Sequence, residues 1–314
     1  MQTRKLGDQG LVVSAIGYGA MGTATGYGPA DDDRSVAAVR RAHDLGTTHF
    51  DTAEMYGWGE GEKLLGRALA PVRDEVTIAT KFGLTREGGR DSRPDHVRAV
   101  VDNSLRHLGT DTIDLLYQHA PDPDVPAEDV AGVVAELVAA GKVRYFGLSN
   151  ADEDTVRRAH AVHPVSALQE EYSVFAPHDV APLLPVAEEL GIGLVAYSPL
   201  ARGFLSGAVT SREHYTADDF RQRLAWWSPA HYDANAALAG ELAAFAESKG
   251  ATLAQLALAW LLAQKEYVVP IPGSRDPERV AANIAAEGLD LTARDLVRIA
   301  EIVPAGGVGG RRRE

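Results

Sequence analysis

Ile113 to Asn150 reads IDLLYQHAPDPDVPAEDVAGVVAELVAAGKVRYFGLSN, and its rhythm decides the fold. The stretch 113–117 is a short apolar run. After a polar, proline-rich interval, Val130, Val133, Val134 and Leu137 recur at i, i+3, i+4 and i+7, the spacing of one helix face. Gly141 stands where a left-handed helix C-cap belongs, and 143–148 forms a second apolar run. A strand, a helix and a strand, with neither strand alternating apolar and polar, describe two parallel strands joined by a crossover.

The same unit repeats outward in both directions. Strands are predicted at 15–18, 47–50, 76–80, 113–117, 143–148, 165–168, 192–197 and 267–271, which makes eight. Between the third and fourth, Val97, Val100, Val101, Leu105 and Leu108 trace another helix, and Gly46, Gly109 and Gly191 close helices as Gly141 does. Eight alternating units favour closure into an α/β fold of the (β/α)8 TIM-barrel type over an open sheet. Residues 4–6, the turn 7–10 and residues 11–13 read as an N-terminal β-hairpin. Two regions break the rhythm. Residues 201–233 form a long loop after the seventh strand, rich in aromatics (Phe204, Tyr215, Phe220, Trp226, Trp227), and such loops are usually functional or disordered. Residues 305–314 read as a flexible tail, leaving 1–304 as a single barrel domain.

The bulk numbers agree. A chain of 314 residues, 45% hydrophobic and 24% charged, has ample length for a large core, and a barrel uses about 250 residues as one unit. A net charge of -13 repels a phosphate backbone, so nucleic acid is not expected as a partner. The absence of cysteine excludes disulfides, a thiol nucleophile and thiolate metal sites. The N-terminus lacks a signal-peptide run and no segment approaches a membrane span, so a cytoplasmic enzyme without a membrane partner is expected. Nothing marks an oligomer interface.

Gly17, Gly19 and Gly22 match the G-x-G-x-x-G pattern of dinucleotide-binding sheets. That motif needs a helix to open inside it. Here Thr23 to Pro29 reads as loop, and the first helix is expected no earlier than residues 31–33. The glycines therefore belong to the first strand-to-helix loop of the barrel.

In such barrels chemistry sits at the C-terminal strand ends. Those ends carry Asp51, Lys81, His119, Ser149 with Asn150, Gln169, and Tyr197 with Ser198. Taken singly, Asp51 is as easily a helix cap, Tyr56 a core aromatic, Lys81 a surface residue and His119 a structural histidine. Jointly they complement one another. A phenol with a pKa near ~10 is a poor acid at neutral pH. A neighbouring ammonium lowers that pKa, and a carboxylate keeps the ammonium charged. A neutral histidine can orient a carbonyl oxygen. The set suits proton donation to an oxygen becoming an alkoxide.

Several ordered segments resemble the aldo-keto reductases over essentially the whole chain: Asp51-Thr-Ala-Glu-Met-Tyr56-Gly57, Ala79-Thr-Lys81-Phe82, Asp114-Leu-Leu-Tyr-Gln-His119, Gly141 to Asn150, Ala196-Tyr-Ser-Pro-Leu200, and Ile271-Pro-Gly-Ser274-Arg275 with Arg279 and Asn283. The resemblance implies carbonyl reduction with Tyr56 as general acid, Lys81 and Asp51 tuning it, and His119 orienting the substrate. It implies that Ser149, Asn150 and Gln169 hold a nicotinamide carboxamide and that Tyr197 stacks on the ring. Ser198, Pro199, Leu200, Arg202 and Gly203 would follow the pyrophosphate, and Gly273, Ser274, Arg275, Arg279 and Asn283 the adenosine end. Asp276 and Pro277 predict a helix start, and Arg279 in its first turn opposes the helix dipole unless an anion binds there. That favours NADPH over NADH and needs no metal. Gly273 departs from relatives that carry lysine at this place, leaving Arg275 and Arg279 to recognise the 2′-phosphate. Tyr18, Met21, Trp58, Trp226 and Trp227 are the expected walls of an apolar pocket for a small-molecule aldehyde or ketone. The same resemblance also admits a nucleotide-binding, redox-sensing regulatory subunit. A metal-dependent barrel hydrolase is disfavoured, because the later strand ends offer Ser, Asn, Gln and Tyr where it would need His or carboxylates.

Overall fold

The structure is a computed structural model that describes residues 1–25, 27–28, 30–208, 211–212, 219, 221 and 224–309. β1 (Thr3–Leu6) and β2 (Leu11–Ser14) pair antiparallel as a hairpin. Eight parallel strands follow: β3 (Tyr18–Gly19), β4 (His49–Asp51), β5 (Thr77–Phe82), β6 (Ile113–Gln118), β7 (Val143–Ser149), β8 (Val165–Glu171), β9 (Gly193–Tyr197) and β10 (Val268–Pro270). Each pairs with the next in chain order. Gly17 N donates to Pro270 O at 2.9 Å and Gly19 N to Pro272 O at 3.4 Å, which joins the last strand to the first. The chain is a (β/α)8 barrel.

Helices α1 (Met21–Ala24), α2 (Asp32–Asp44), α3 (Glu60–Leu69), α4 (Pro94–Leu108), α5 (Ala127–Ala139), α6 (Glu153–Val162), α7 (Leu184–Leu190), α8 (Tyr232–Ser248), α9 (Leu253–Leu262), α10 (Pro277–Ile284) and α11 (Ala293–Ile302) complete it. Gly46, Gly109, Gly141 and Gly191 all take positive φ at helix ends, as expected from sequence.

Successive side chains of a strand point to opposite faces, and the burial pattern divides accordingly. Phe50, Ile78, Leu116, Phe146, Leu148, Leu168 and Leu194 pack outward into the core shared with the helices. Ala79, Leu115, Tyr117, Ala167, Val195, Val269 and Ile271 fill the barrel interior. Leu6, Leu11 and Val13 of the hairpin belong to that interior cluster and plug the floor. Arg4 fastens the hairpin by donating to the carbonyls of Leu262, Lys265 and Val268.

The structure departs from the sequence expectations in three places. The first barrel strand is only Tyr18–Gly19, although Ala15 and Ile16 are fully buried. Ile16 packs against Leu258 and Ala286, so the apolar run reflects burial rather than strand pairing. A one-turn helix, α1, opens inside the glycine pattern at Met21, earlier than expected. It has no side-chain cap and is held at its start by Ala20 N donating to Asp51 O. The first full helix does begin at Asp32, capped by Asp31. Finally, residues 305–309 are tied down where a flexible tail was expected. Gly307 N donates to Phe175 O, while Val308 exchanges hydrogen bonds with the buried Asn235 side chain at 2.7 and 2.8 Å. Residues 310–314 lie outside the described residues, as do Tyr215 and Phe220 of the long loop. That loop holds short 3-10 turns at Ala201–Ser206 and Ala225–Trp227. Among the described residues no helix is long and apolar enough to cross a membrane.

Candidate active site

The inward parity that fills the barrel continues past the strand ends. Two residues beyond His49, Ala79, Tyr117, Gly147, Ala167 and Val195 come Asp51, Lys81, His119, Ser149, Gln169 and Tyr197. Register places Gly19 opposite Asp51, Lys81 opposite Tyr117 and Ser149 opposite Gln169. The polar groups therefore form one layer on top of an apolar stack.

Within that layer Lys81 Nζ lies 2.5 Å from Asp51 Oδ1 and also donates to Thr52 O at 2.7 Å. Gln169 Nε2 donates to the other Asp51 oxygen at 2.7 Å. Lys81 and Asp51 are 1% and 2% exposed, so neither charge could persist without the other. Lys81 Nζ is 5.2 Å from the centroid of the Tyr56 ring. The Tyr56 and His119 rings meet edge to face with centroids 6.1 Å apart. All four candidate residues converge.

Burial would drive the Lys81 ammonium to release its proton. The Asp51 carboxylate and Tyr56 outweigh it, and the lysine pKa ends above its ordinary value. For Tyr56 the net direction is upward: burial exceeds the pull of the Lys81 ammonium, with Asp51 adding to the rise. This rise departs from the lowered pKa expected of a tyrosine beside an ammonium. The lysine, with Arg202 assisting, only moderates a rise, because the desolvated pocket penalises tyrosinate more than these cations favour it. Tyr56 is thus held protonated.

A cavity of about 1450 Å³ opens above this layer. A pocket for one small molecule typically occupies about 300–1,000 Å³, so this one has room for a long ligand beside a small one. Its lining includes Ser149, Asn150, Gln169, Tyr197, Ser198, Pro199, Leu200, Arg202, Gly203, Gly273, Ser274, Arg275, Arg279 and Asn283, every cofactor candidate named from sequence. Asn150 is central: its Nδ2 donates to Ser149 Oγ and His119 O, and Tyr197 OH donates to its Oδ1 at 2.8 Å. Asn150, Ser198, Ala201 and Arg202 all adopt positive φ (48–56°). Non-glycine residues held there store strain, and such strain clusters at binding sites. Arg202 is 9% exposed, faces Glu171 at 3.6 Å and lies over the Tyr197 ring.

At the far end Asp276 caps α10 through the amides of Glu278 and Arg279. Among the described residues no carboxylate pairs with the Arg279 guanidinium, which lines the cavity at a helix N-terminus. Arg275 donates to the carbonyls of Tyr27 and Gly28. Gly273 backs directly onto the Gly19 carbonyl, and any side chain there would collide with it. The closeness of the barrel seam leaves room only for glycine here.

The expected substrate walls fare unevenly. Met21 lines the cavity. Tyr18 is instead 2% exposed, packs against Phe50 and donates to Ser274 O. Trp226 and Trp227 are buried with Phe175, Phe204 and Tyr232 in a separate core beneath the long loop. Trp58 is half-buried outside the lining, with the Arg86 guanidinium over its ring. An aromatic-rich loop reads the same whether its rings face a ligand or each other, which is why composition misled. Sequence reasoning missed Met55, Leu84, Arg90 and Ala120, which line the cavity beside Tyr56 and His119. Their proximity to Tyr56, Lys81 and His119 along the chain was the available signal. Among the described residues no group of acidic and histidine side chains could hold a metal.

Comparison with known proteins agrees with this geometry. The model of the Aldo/keto reductase family matches residues 15–304. A protein of Glycine max named "Probable aldo-keto reductase 1" is 40% identical over 318 residues, covering 99% of this chain and 92% of the relative. Among solved structures, a glycerol dehydrogenase of Gluconobacter oxydans superposes with a TM-score of 0.89 at 29% identity, over 98% of this chain and 97% of that one. An aldo-keto reductase from Klebsiella pneumoniae in complex with NADPH superposes with a TM-score of 0.76 at 27% identity, over 99% of both chains. The chain belongs to the aldo/keto reductase family.

Proposed function

We propose that this protein is an NADPH-dependent carbonyl reductase that converts aldehydes or ketones to alcohols, with Tyr56 as the proton donor. The observation that carries the reading is the buried Asp51–Lys81 pair set beneath a protonated Tyr56.

Three features fit a bound dinucleotide: the volume of the cavity, the strained backbone along it, and a guanidinium without a carboxylate at its far end. Ser149, Asn150 and Gln169 would hold the carboxamide, and Tyr197 would face the ring. Residues 198–203 would follow the pyrophosphate, while Ser274, Arg275, Arg279 and Asn283 would take the adenosine phosphate. When bound, the reduced nicotinamide supplies hydride. The chain's part is to place and charge-balance the proton transfer. Burial keeps the phenolic proton on Tyr56 until a carbonyl oxygen gains negative charge. Lys81 stabilises the phenolate left behind, and Asp51 keeps Lys81 cationic throughout. His119, edge-on to Tyr56, hydrogen-bonds the same oxygen and fixes its direction.

A panel of aldehydes and ketones, followed by oxidation of NADPH and of NADH, tests the reading. Reduction with NADPH preferred is the expected result. Arg279→Ala should raise the KM for NADPH about tenfold, the scale of one charge-assisted phosphate contact, and leave that for NADH nearly unchanged. Equal use of both cofactors, indifferent to Arg279→Ala, would refute the phosphate assignment.

A further inference from the structure

The half of the cavity next to Tyr56 has a composition that restricts the substrate further. Its walls come from the ends of β4, β5 and β6: Met55, Tyr56, Leu84, Arg90, His119 and Ala120. Met55, Leu84 and Ala120 are apolar. Arg90 adds a permanent charge to this wall; Arg202, whose charge also reaches Tyr56, faces Glu171 at 3.6 Å.

Arg90 is held in place and is not neutralised. It pairs with Leu84 across an antiparallel bridge that closes the loop after β5. Its Nη1 donates to Pro121 O at 2.7 Å, which fixes the guanidinium beside the His119–Ala120 segment. Two nearby carboxylates are engaged elsewhere. Asp91 is taken by Arg93 at 2.6 and 2.9 Å, and Asp122 accepts from the amides of Ser92 and Asp124. Arg86, in the same loop, lies over Trp58. No ion pair reaches Arg90 among the described residues, in a chain whose 44 acidic residues outnumber its 31 lysines and arginines. A planar fork of N–H donors at a pocket wall, spending one donor on a carbonyl, is suited to bind a carboxylate.

We propose that the substrate is an anionic carbonyl compound: an aldehyde or ketone joined through a short apolar segment to a carboxylate that Arg90 binds. The apolar segment lies against Met55, Leu84 and Ala120 while the carbonyl reaches Tyr56 and His119. This assignment rests on the carbonyl-reductase reading and names the substrate class of that same site.

The test compares two isosteric aldehydes, 4-formylbenzoate and the neutral 4-formylbenzamide, with the full chain and NADPH. The wild type should favour the carboxylate in kcat/KM, chiefly through KM, and the preference should weaken with added salt. Arg90→Gln should lower the carboxylate-to-amide ratio about tenfold, and Arg90→Lys should restore part of it. If both aldehydes are reduced equally and Arg90→Gln leaves the ratio unchanged, the substrate assignment falls while the reductase reading stands. If neither is reduced, and the wider carbonyl panel also gives no turnover, the reductase reading fails and this assignment falls with it.

Discussion

His49 shows how much a single buried side chain can reveal. It lies two residues before Asp51 on β4, fully buried, and neither ring nitrogen meets a protein partner among the described residues. Burial pushes its pKa from 6.5 down to about 4, with Lys81 adding to the fall and Asp51 opposing it. Between those values the unfolded chain binds a proton that the folded chain rejects, so stability rises with pH across the window and is lost as pH falls through it. At pH 5 the loss from this one group is roughly 2 kcal/mol. His49→Phe should remove it. Urea midpoints at pH 7 and pH 5 should separate for the wild type by more than for the variant. Equal separations would mean that His49 carries no such penalty.

At the scale of elements, the segment carrying Tyr56 is held by a cluster outside the cavity. Gly57, Trp58 and Gly59 all take positive φ, and Gly59 packs against the His107 ring of α4. His107 Nδ1 lies 3.0 Å from Glu62 Oε2 on α3, and Glu62, fully buried, also accepts from Thr80 Oγ1 at 2.7 Å. Thr80 precedes Lys81 on β5, so one carboxylate ties together β5, α3, α4 and the tyrosine loop. Glu62→Ala would strand two polar partners and should cost about 2–4 kcal/mol, read as a lowered denaturation midpoint. An unchanged midpoint would show that the cluster does not brace the loop. None of this was legible beforehand. The helices were, because apolar spacing and C-cap glycines are local signals. So were the strand ends, because buried parallel strands are bounded apolar runs. Glu62 and His107 carry no local mark, since their meaning depends on a strand and a helix meeting across the outer core. The first strand was misplaced for a related reason: Ala15 and Ile16 are apolar because they are covered, and cover does not require pairing. Trp226 and Trp227 pack in a core of their own, and an aromatic cluster looks alike from sequence whether it lines a cavity or packs on itself.

Across the whole molecule, the barrel's alternation of faces turns a linear sequence into a site. Inward residues fill the interior, and two steps further along the same strands the polar layer appears, with a long cavity above it. Residues far apart in sequence line this one cavity, most at or just beyond a strand end and Arg279 and Asn283 on α10. Arg90, Met55 and Leu84 were overlooked because they sit within loops, where no periodicity fixes direction. The account's central claim is that this assembly delivers a proton from Tyr56 to a carbonyl oxygen. Its most direct test is Tyr56→Phe, which keeps the ring and removes the proton, measured as kcat/KM for aldehyde reduction alongside NADPH affinity by fluorescence. The account predicts a fall in kcat/KM of about 100-fold or more, the scale of general acid catalysis, with NADPH affinity retained. A variant that binds NADPH and reduces aldehydes at the wild-type kcat/KM would contradict it.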